Sequence, residues 1–449
     1  MAHIVLVTGL LTGRINASFE LASRLQKEGH EITYLCQPST LVKIQSYGFN
    51  ALAVSKITFD YKDPRRSAME SSWFKKLRFH LKYLKSHYSE GIKILKLEEH
   101  KALFRQVNPD LALIDVEIHD MIFTAIELKI PVKLTTTWFS DKISLKSPSI
   151  RTGVIPGRGV SGTKVGILFS WLLMRAKINA RVVLNRLTFT NYRRWMFKKY
   201  AKNIGFDTSG LLVNTLPPLY SFTKLPIVTM TMSELEFPHK LAKNMIYVGP
   251  MIRENRNLQK EDPAVADRLK TIYRKRDTEK GQLIYGSVGS MATSGVVFLK
   301  KVIKACTDQE GWQLVLSLGP NLNIADFGEV PSQIHLFNWV PQPEVISHAD
   351  CVVTHAGNNT MNECLHYTVP MVLYSGKKTD QDGSAARMAY HGLGVLGDKD
   401  RDGAEQIRSN IDEVLTNKAF RAKMIEFNNI YQDYRARALS PLLFEEKEY

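Results

Sequence analysis

The part of the chain richest in chemically useful side chains lies between positions 339 and 381. An aromatic residue comes first, small polar residues around a glycine come next, and carboxylates and amides close the series. In chain order these residues are Trp339, Val340, Gln342, His355, Gly357, Asn359, Thr360, Glu363, Asp380 and Gln381. An indole stacks on a nucleobase, neutral donors bind a diphosphate, and carboxylates accept hydrogen bonds from ribose and sugar hydroxyls. The order of the side chains therefore predicts a nucleotide-sugar site.

The middle of this series is placed to bind an anion. Residues 355–360 lie between a predicted strand, Cys351–Thr354, and a predicted helix. Backbone N–H groups at a helix start and the helix dipole both favour negative charge there. Gly357 allows the backbone to approach a ligand closely. Gly289 and Ser290, which follow another predicted strand, are candidates for a second turn that faces the phosphates.

The same residues make the chain similar to family-1 UDP-glycosyltransferases, which have the GT-B fold and include plant and bacterial macrolide enzymes. The resemblance covers nearly the whole chain in layout, including a loop that contains Asn16, residues 247–250 and the turn at 289–290. It implies that Trp339 stacks on the uracil and that the Val340 backbone pairs with the uracil edge.

The resemblance also implies contacts for the rest of the donor. It places Gln342 and Glu363 at the ribose, His355, Asn359 and Thr360 at the diphosphate, and Asp380 and Gln381 at the sugar hydroxyls. Two departures concern the sugar end of the site. Asn358 stands where the family often has tryptophan, and the interval from Pro370 to Asp380 is longer than the common pattern. The identity of the donor sugar therefore stays open.

A different residue occupies the position of the family's catalytic base. Inverting members use a histidine at the start of the N-terminal helix, oriented by an aspartate, to take the proton of the acceptor hydroxyl. Here Arg14 stands at the histidine position and Asp115 at the aspartate position. Arginine stays protonated in proteins and is not an ordinary general base.

Three explanations of this exchange are open from the sequence. In the first, Asp115, Glu117 or the nearby His119 acts as the base. In the second, the acceptor is already ionised and Arg14 holds it through a charge-assisted contact. In the third, the protein binds a nucleotide-sugar without transferring the sugar. Arg14 and His119 also have a plainer interpretation, as surface residues of two helices.

Alternating strands and helices predict two doubly wound α/β halves. A strand at 3–8, a helix at 15–27 and a strand at Glu31–Cys36 form a βαβ unit, which implies a parallel sheet with helices on both faces. Later strands of this half are predicted at 211–214 and 226–230. The predicted domains are a Rossmann-like acceptor domain at 1–240, a linker at 241–280, a Rossmann-like UDP-sugar domain at 281–430 and a tail at 431–449 that packs back on the first domain.

The net charge of the 449-residue chain, +16, is unevenly distributed. Residues 142–206 contain fourteen lysines and arginines and no acidic residue. Because aliphatic and aromatic residues are interspersed, the segment is either a surface for an anionic membrane or a solvated basic face over a buried helix. No nucleic-acid partner is expected, because no recognised motif of that kind is present.

Composition and motifs together lead to a predicted location and function. The four cysteines have no C-x-x-C spacing, which predicts reduced thiols and a cytoplasmic protein, peripheral on the inner membrane face if the basic segment binds lipid. The predicted activity is a hexosyl transfer, with inversion, from a UDP-sugar to a small lipophilic or anionic acceptor, without a metal or a cofactor. A non-catalytic nucleotide-sugar-binding protein and a GT-B UDP-sugar epimerase are the alternatives.

Overall fold

Two parallel sheets organise the chain into two α/β domains with helices on both faces. The structure, a computed structural model, describes residues 1–9, 12–55, 57, 74, 96–187, 192–214, 220–253, 262–287, 295–377 and 380–445. The α/β class with two doubly wound parallel sheets is therefore confirmed.

The first domain contains a seven-stranded parallel sheet and a small antiparallel ribbon. The strands are β1 His3–Val7, β2 Glu31–Cys36, β3 Asn50–Ala53, β4 Leu111–Asp115, β5 Val132–Thr136, β6 Leu211–Val213, β7 Tyr220–Phe222, β8 Ile227–Thr229 and β9 Met245–Tyr247. The helices are α1 Thr12–Lys27, α2 Pro38–Ser46, α3 Leu97–Val107, α4 His119–Glu127, α5 Lys164–Leu187 and α6 Tyr192–Asn203. The sheet order is β3-β2-β1-β4-β5-β8-β9, and β6 pairs only with β7.

The second domain contains a six-stranded parallel sheet in the order β12-β11-β10-β13-β14-β15. Its strands are β10 Gln282–Ser287, β11 Trp312–Ser317, β12 Ile334–Phe337, β13 Cys351–Thr354, β14 Met371–Leu373 and β15 Gly394–Leu396. The helices from the interdomain connection to the C-terminal segment are α7 Pro263–Thr278, α8 Val296–Cys306, α9 Gln342–His348, α10 Asn358–His366, α11 Gln381–Tyr390, α12 Ala404–Thr416, α13 Lys418–Ala436 and α14 Ser440–Phe444.

Both sheets reverse their winding direction at one point, which is where open α/β sheets generally bind ligands. The order reverses between β1 and β4 in the first sheet and between β10 and β13 in the second. At such a point the loops after neighbouring strands diverge and leave a crevice at the carboxyl ends of the strands. Helix α1 begins at the first crevice, where the sequence predicts the catalytic residues. Helix α10 begins at the second crevice, where the sequence predicts the diphosphate contacts.

Two predicted segments of the chain have more structure or a different pairing than the sequence pattern shows. The predicted linker at 241–280 contains β9, which pairs with β8, and α7, whose Leu269, Ile272 and Tyr273 are buried in the second domain. These three residues have the spacing of an amphipathic helix, but most residues around them are polar, so the apolar periodicity is weak in the sequence. The strand predicted at 211–214 is present as β6, and it pairs with β7 in the separate antiparallel ribbon rather than with the seven-stranded sheet.

The two domains share apolar packing and are tied by the C-terminal segment. Phe139 and Ile150 of the first domain belong to the same buried cluster as Leu373 of the second. After α13, the chain returns to the first domain, where Leu439 and Leu443 are buried with residues of the first sheet. The shared cluster and the returning C-terminal segment therefore both fix the position of one domain relative to the other.

Candidate active site

The catalytic side of the cleft is built where the first sheet reverses its winding. Arg14 lies in the first turn of α1, Asp115 is the last residue of β4, and Glu117 follows two residues later. Nη1 of Arg14 donates to Oδ1 of Asp115 at 2.7 Å, and Nη2 donates to Oε1 of Glu117 at 2.8 Å. The three side chains form one cluster in which a single cation stands between two carboxylates.

Arg14 is a buried, permanently charged residue rather than a surface residue. Burial by itself lowers the pKa of Arg14, but the charges of Asp115 and Glu117 outweigh this effect and raise the pKa above its ordinary value. The guanidinium carbon also lies 4.9 Å from the centroid of the Trp138 ring. This environment excludes proton abstraction by Arg14.

Glu117 has the more open carboxylate of the pair. Burial raises its pKa, the charges of Asp115 and Asp380 raise it further, and Arg14 opposes them. Among the described residues, only Arg14 hydrogen-bonds this carboxylate, through Oε1. By contrast, Oδ1 of Asp115 accepts from Arg14 and from the backbone N–H of Glu117, at 2.9 Å. Glu117 is therefore better placed than Asp115 to accept a further proton.

His119 lies in the core of the first domain, contrary to the hypothesis that it is catalytic. Its side chain is buried among aromatic rings that include Phe123 and Phe197. Nδ1 lies 2.9 Å from the carbonyl oxygen of Glu117, and Nε2 lies 3.2 Å from the backbone nitrogen of Tyr220. Because backbone groups occupy both ring nitrogens, the geometry gives His119 a structural role.

The candidate uridine contacts lie between β12 and α9. Trp339 is 40% exposed, so its ring is accessible to a ligand, whereas Val340 is buried and anchors the segment. Oε1 of Gln342, at the start of α9, accepts from the Tyr285 hydroxyl at 3.1 Å. Nε2 of Gln342 donates to Oε2 of Glu363 at 2.5 Å. The structure therefore brings together the two residues predicted to bind the ribose.

The candidate diphosphate contacts surround the start of α10. Nδ1 of His355 lies 3.4 Å from the carbonyl oxygen of Ser287, so the ring spans the ends of β13 and β10. A Cβ atom on Gly357 would lie 2.7 Å from Nε2 of His355, so a larger residue there would displace the imidazole ring. Thr360 is buried one turn further on and receives a 3.3 Å hydrogen bond from Gln342. Backbone N–H groups at this helix start point to the cleft side of the sheet, where an anion is favoured.

The start of α10 also touches the first domain directly. Nδ2 of Asn359 donates to the carbonyl oxygen of Gly13 at 2.6 Å. Nδ2 of Asn358 donates to the carbonyl oxygen of Thr137 at 2.7 Å and to Oδ2 of Asp380 at 2.9 Å. The bond to Gly13 holds the predicted donor site against the first turn of α1, which carries Arg14, and the bond to Thr137 holds it against the segment after β5. The role of Asn359 at the diphosphate stays a prediction.

The candidate sugar contacts lie at the start of α11. Asp380 is nearly buried, and its charge acts on Glu117 of the opposite domain. Among the described residues, Oε1 of Gln381 and Oδ1 of Asn358 are buried and receive no hydrogen bond. Buried oxygen acceptors normally have a donor, so these two atoms point to a hydroxyl-bearing ligand. Gly289 and Ser290 lie outside the described residues.

Sequence reasoning missed two residues of the cleft. Asn358 was noted only as a departure from the family pattern, although it joins both domains and Asp380. Arg253 lines a cavity between the domains together with Asn16, Asn359 and Glu363. Its guanidinium carbon lies 4.6 Å from the centroid of the Tyr47 ring, and its Nη1 is buried without a hydrogen-bond partner among the described residues. The sequence signal for Arg253 is its position, a cation three residues after Pro250, where the chain passes from the first domain to the second.

Metal ligation has no support in the side-chain arrangement. Within the described ranges, no group of three or more histidine, cysteine, aspartate or glutamate side chains is placed to hold a metal ion. All four cysteines are buried and unpaired with one another. The expectation that the site works without a metal remains a prediction.

Comparison with known proteins gives the class of this site. The family model for UDP-glucoronosyl and UDP-glucosyl transferases matches residues 177–444, which is more than half of the chain. The protein belongs to this family, and its two parallel-sheet domains have the GT-B fold. A solved structure, the glycotransferase of kitacinnamycin, superposes with a TM-score of 0.69 over 98% of this chain and 99% of its own, at 19% identity. At that identity the likeness concerns the fold alone.

Two curated relatives extend the comparison over parts of the chain. Oleandomycin glycosyltransferase of Streptomyces antibioticus is 35% identical over 114 residues, 25% of this chain and 26% of the relative. Zeaxanthin glucosyltransferase of Pantoea ananas is 26% identical over 237 residues, 51% of each chain. These alignments therefore span between a quarter and a half of the relatives' own lengths.

Proposed function

We propose that the protein is an inverting glycosyltransferase that moves a sugar from a UDP-sugar to the hydroxyl of a small, lipophilic acceptor. One observation carries the proposal. Two buried acceptor atoms, Oδ1 of Asn358 and Oε1 of Gln381, lie beside Asp380 without donors among the described residues, and the charge of Asp380 reaches Glu117 across the cleft. A sugar held by these groups has a proton acceptor on its far side.

The donor contacts follow from the second domain. Uracil stacks on the accessible ring of Trp339, and the linked Gln342 and Glu363 bind the ribose hydroxyls. The diphosphate lies at the start of α10, where backbone N–H groups stabilise the charge that develops as it departs. Arg253 supplies a cation at the same cavity.

Glu117 acts as the general base in place of the missing histidine. As the acceptor oxygen attacks the anomeric carbon, Glu117 takes its proton, the bond from that carbon to the diphosphate oxygen breaks, and UDP leaves with the bonding electrons. The raised pKa of Glu117 supports this role, because a base works best when its pKa lies close to the working pH. Arg14 and Asp115 are positioning residues that hold Glu117 in place.

The charge of the cluster selects the acceptor. One cation between two carboxylates leaves an excess negative charge, so the hypothesis that Arg14 binds a carboxylate or phosphate acceptor is disfavoured. A neutral hydroxyl is not repelled in this way. The name of the zeaxanthin relative gives a precedent for a lipophilic alcohol. Such an acceptor partitions into bilayers, so contact of residues 142–206 with an anionic inner membrane surface belongs to the same proposal.

The main rival is a binding protein that does not transfer the sugar. It is favoured by the single observation that a permanent cation, Arg14, occupies the position of the family's base. The rival predicts tight UDP binding in the absence of turnover. In this rival, Glu117 has no catalytic role.

The deciding experiment incubates the purified protein with UDP-glucose and a panel of phenols, carotenoid alcohols and carboxylic acids. We expect glycosides of the neutral alcohols, with inverted anomeric configuration by NMR, and no esters of the acids. Asp380→Asn is expected to lower turnover, whereas Asp382→Asn, two residues along the same helix and bonded to Ser375, serves as the matched control. UDP binding with no product supports the binding protein, and interconversion of the UDP-sugar alone supports an epimerase.

A further inference from the structure

Helix α5 presents two apolar faces, and only one of them packs on the protein. Ile167, Trp171 and Ile178 are buried, and the indole nitrogen of Trp171 donates to the carbonyl oxygen of Ser147 at 3.0 Å. At 3.6 residues per turn these three positions fall on one side of the helix. This side attaches α5 to the first domain.

The opposite side of α5 is apolar and faces solvent. Val165, Phe169 and Leu172 are 76%, 65% and 59% exposed, and Val183 and Leu187 continue the series. These positions, with the exposed Ala176 between them, lie within a narrow sector of the helix surface. Single exposed apolar residues are common on proteins, but a continuous stripe of this length marks an interaction site.

The flanks of this stripe are basic. Lys177 and Arg181 lie on one flank, and Lys164 and Arg175 lie on the other. Residues 142–206, which include the whole of α5, contain no acidic residue. The exposed side of α5 therefore combines a central apolar stripe with positive charge on both edges. A soluble protein partner of ordinary composition would not require this uniform sign, whereas an anionic lipid surface matches it.

We propose that the exposed side of α5 docks on an anionic membrane surface, with the helix lying in the plane of the interface. The apolar stripe enters the boundary between headgroups and acyl chains, and the flanking cations pair with lipid phosphates. Within the described ranges, no helix is long and apolar enough to cross a membrane, so α5 lies on the bilayer rather than through it. The inference rests on the membrane contact included in the proposed function and adds the face that makes it, while its test does not require sugar transfer.

The test is sedimentation of the full chain with vesicles. One set contains phosphatidylcholine alone, and the other contains phosphatidylcholine with phosphatidylglycerol. We expect binding to the anionic vesicles at low salt, release at high salt and little binding to the neutral vesicles. A short basic segment gains about five-fold in affinity per cation, so Lys177→Gln/Arg181→Gln should weaken binding by roughly 30-fold.

The apolar half of the proposal has its own variant and control. Phe169→Ser/Leu172→Ser should reduce vesicle binding by at least about ten-fold, because both side chains lose burial in lipid. Ile425→Ser changes an apolar residue of similar exposure on α13, in the second domain, and should bind as the unchanged protein does. All of these positions are exposed, so circular dichroism should report an unaltered fold.

Several outcomes would overturn the proposal. The first is that the protein does not bind anionic vesicles at low salt. The second is that both double variants bind these vesicles as tightly as the unchanged protein. A third is a concentration-dependent dimer that dissociates on Phe169→Ser/Leu172→Ser, which would make the stripe an interface between copies of this chain. Sugar transfer by the Phe169→Ser/Leu172→Ser variant on a soluble acceptor should be unaffected, which separates this proposal from the transferase proposal.

Discussion

Arginine at position 14 changes what its neighbours do. A histidine there would take a proton itself and would need one carboxylate to orient it. The arginine instead binds two carboxylates and keeps its proton, so the proposed mechanism assigns the proton acceptor to Glu117. With arginine at position 14, the proposed base is therefore the neighbouring Glu117 and not residue 14 itself.

Glu117→Gln should lower kcat by about 100- to 10,000-fold, the usual contribution of a general base, and leave the Kd for UDP unchanged. The pH profile gives the second readout. A base works in its deprotonated form, and burial raises the pKa of Glu117. Activity should therefore fall as the pH is lowered through a value above the ordinary pKa of glutamate.

A conservative variant and a neighbour provide the comparison for this prediction. Glu117→Asp should keep the acidic limb of the profile at a reduced rate. Asp115→Asn should have a smaller effect than Glu117→Gln, because Asp115 acts through Arg14 and the Glu117 backbone. If Glu117→Gln retains both turnover and the acidic limb, the base lies elsewhere.

Trp339→Ala should raise the Kd for UDP by about 5- to 150-fold, since stacking of a base on an aromatic ring is worth about 1–3 kcal/mol. Isothermal titration with UDP measures the change. Trp195→Ala is the matched control, because Trp195 is similarly exposed, at 44%, but lies on α6 of the first domain. Equal losses for the two variants would remove the stacking role of Trp339.

Helix α11 lies very close to the first domain, which brings its first residues to the predicted sugar subsite. The backbone N–H of Gly383 donates to the carbonyl oxygen of Ile150 at 2.9 Å. A Cβ atom at position 383 would lie 2.3 Å from that oxygen, well inside contact distance. Glycine at 383 is therefore a condition for placing Asp380 and Gln381 at the cleft.

Gly383→Ala should lower the free energy of unfolding by about 1–3 kcal/mol, the usual cost of overpacking, and should weaken binding of UDP-sugar more than binding of UDP. Denaturant unfolding and two titrations give these values. Gly403→Ala is the control, because a Cβ atom there meets nothing within 4 Å and the backbone conformation suits alanine. A Gly383→Ala protein as stable as the control would show that the helix can shift freely.

The arrangement of the two domains depends on a buried ion pair between them. Nε of Arg387, on α11, donates to Oε2 of Glu236 of the first domain at 2.8 Å, and both side chains are almost fully buried. Phe139 and Phe237 pack near the guanidinium, with ring centroids 5.0 and 4.6 Å from its carbon. Removing one partner leaves an uncompensated charge in the core.

Arg387→Met should therefore cost about 3–5 kcal/mol of stability, and Glu236→Gln/Arg387→Met should cost less than Arg387→Met alone. The midpoint of denaturant unfolding measures both. Lys377→Met breaks the exposed pair with Asp400 and should leave the midpoint unchanged. A double variant less stable than the single one would show that charge balance is not what holds the domains.

The sequence alone determined the two alternating halves and the stretch of chain that holds the candidate donor residues. Both depend on patterns within short stretches, since a strand or an amphipathic helix shows its periodicity over a few residues, as at Glu31–Cys36 and Cys351–Thr354. The same locality explains why the sequence did not predict α7, because polar residues surround its three buried positions.

Only the tertiary structure decided which groups work together. Arg14 and Glu117 are 103 positions apart, and Asn358 and Thr137 are 221 apart, so no local pattern relates them. The fold brings Arg14 to its two carboxylate partners and buries His119 in the core of the first domain. Packing against the first domain also determines which side of α5 is exposed to solvent. The contact of Arg14 with Glu117 forms when β1 and β4 pair in the first sheet, and that of Asn358 with Thr137 forms only when the carboxyl ends of both sheets face one cleft.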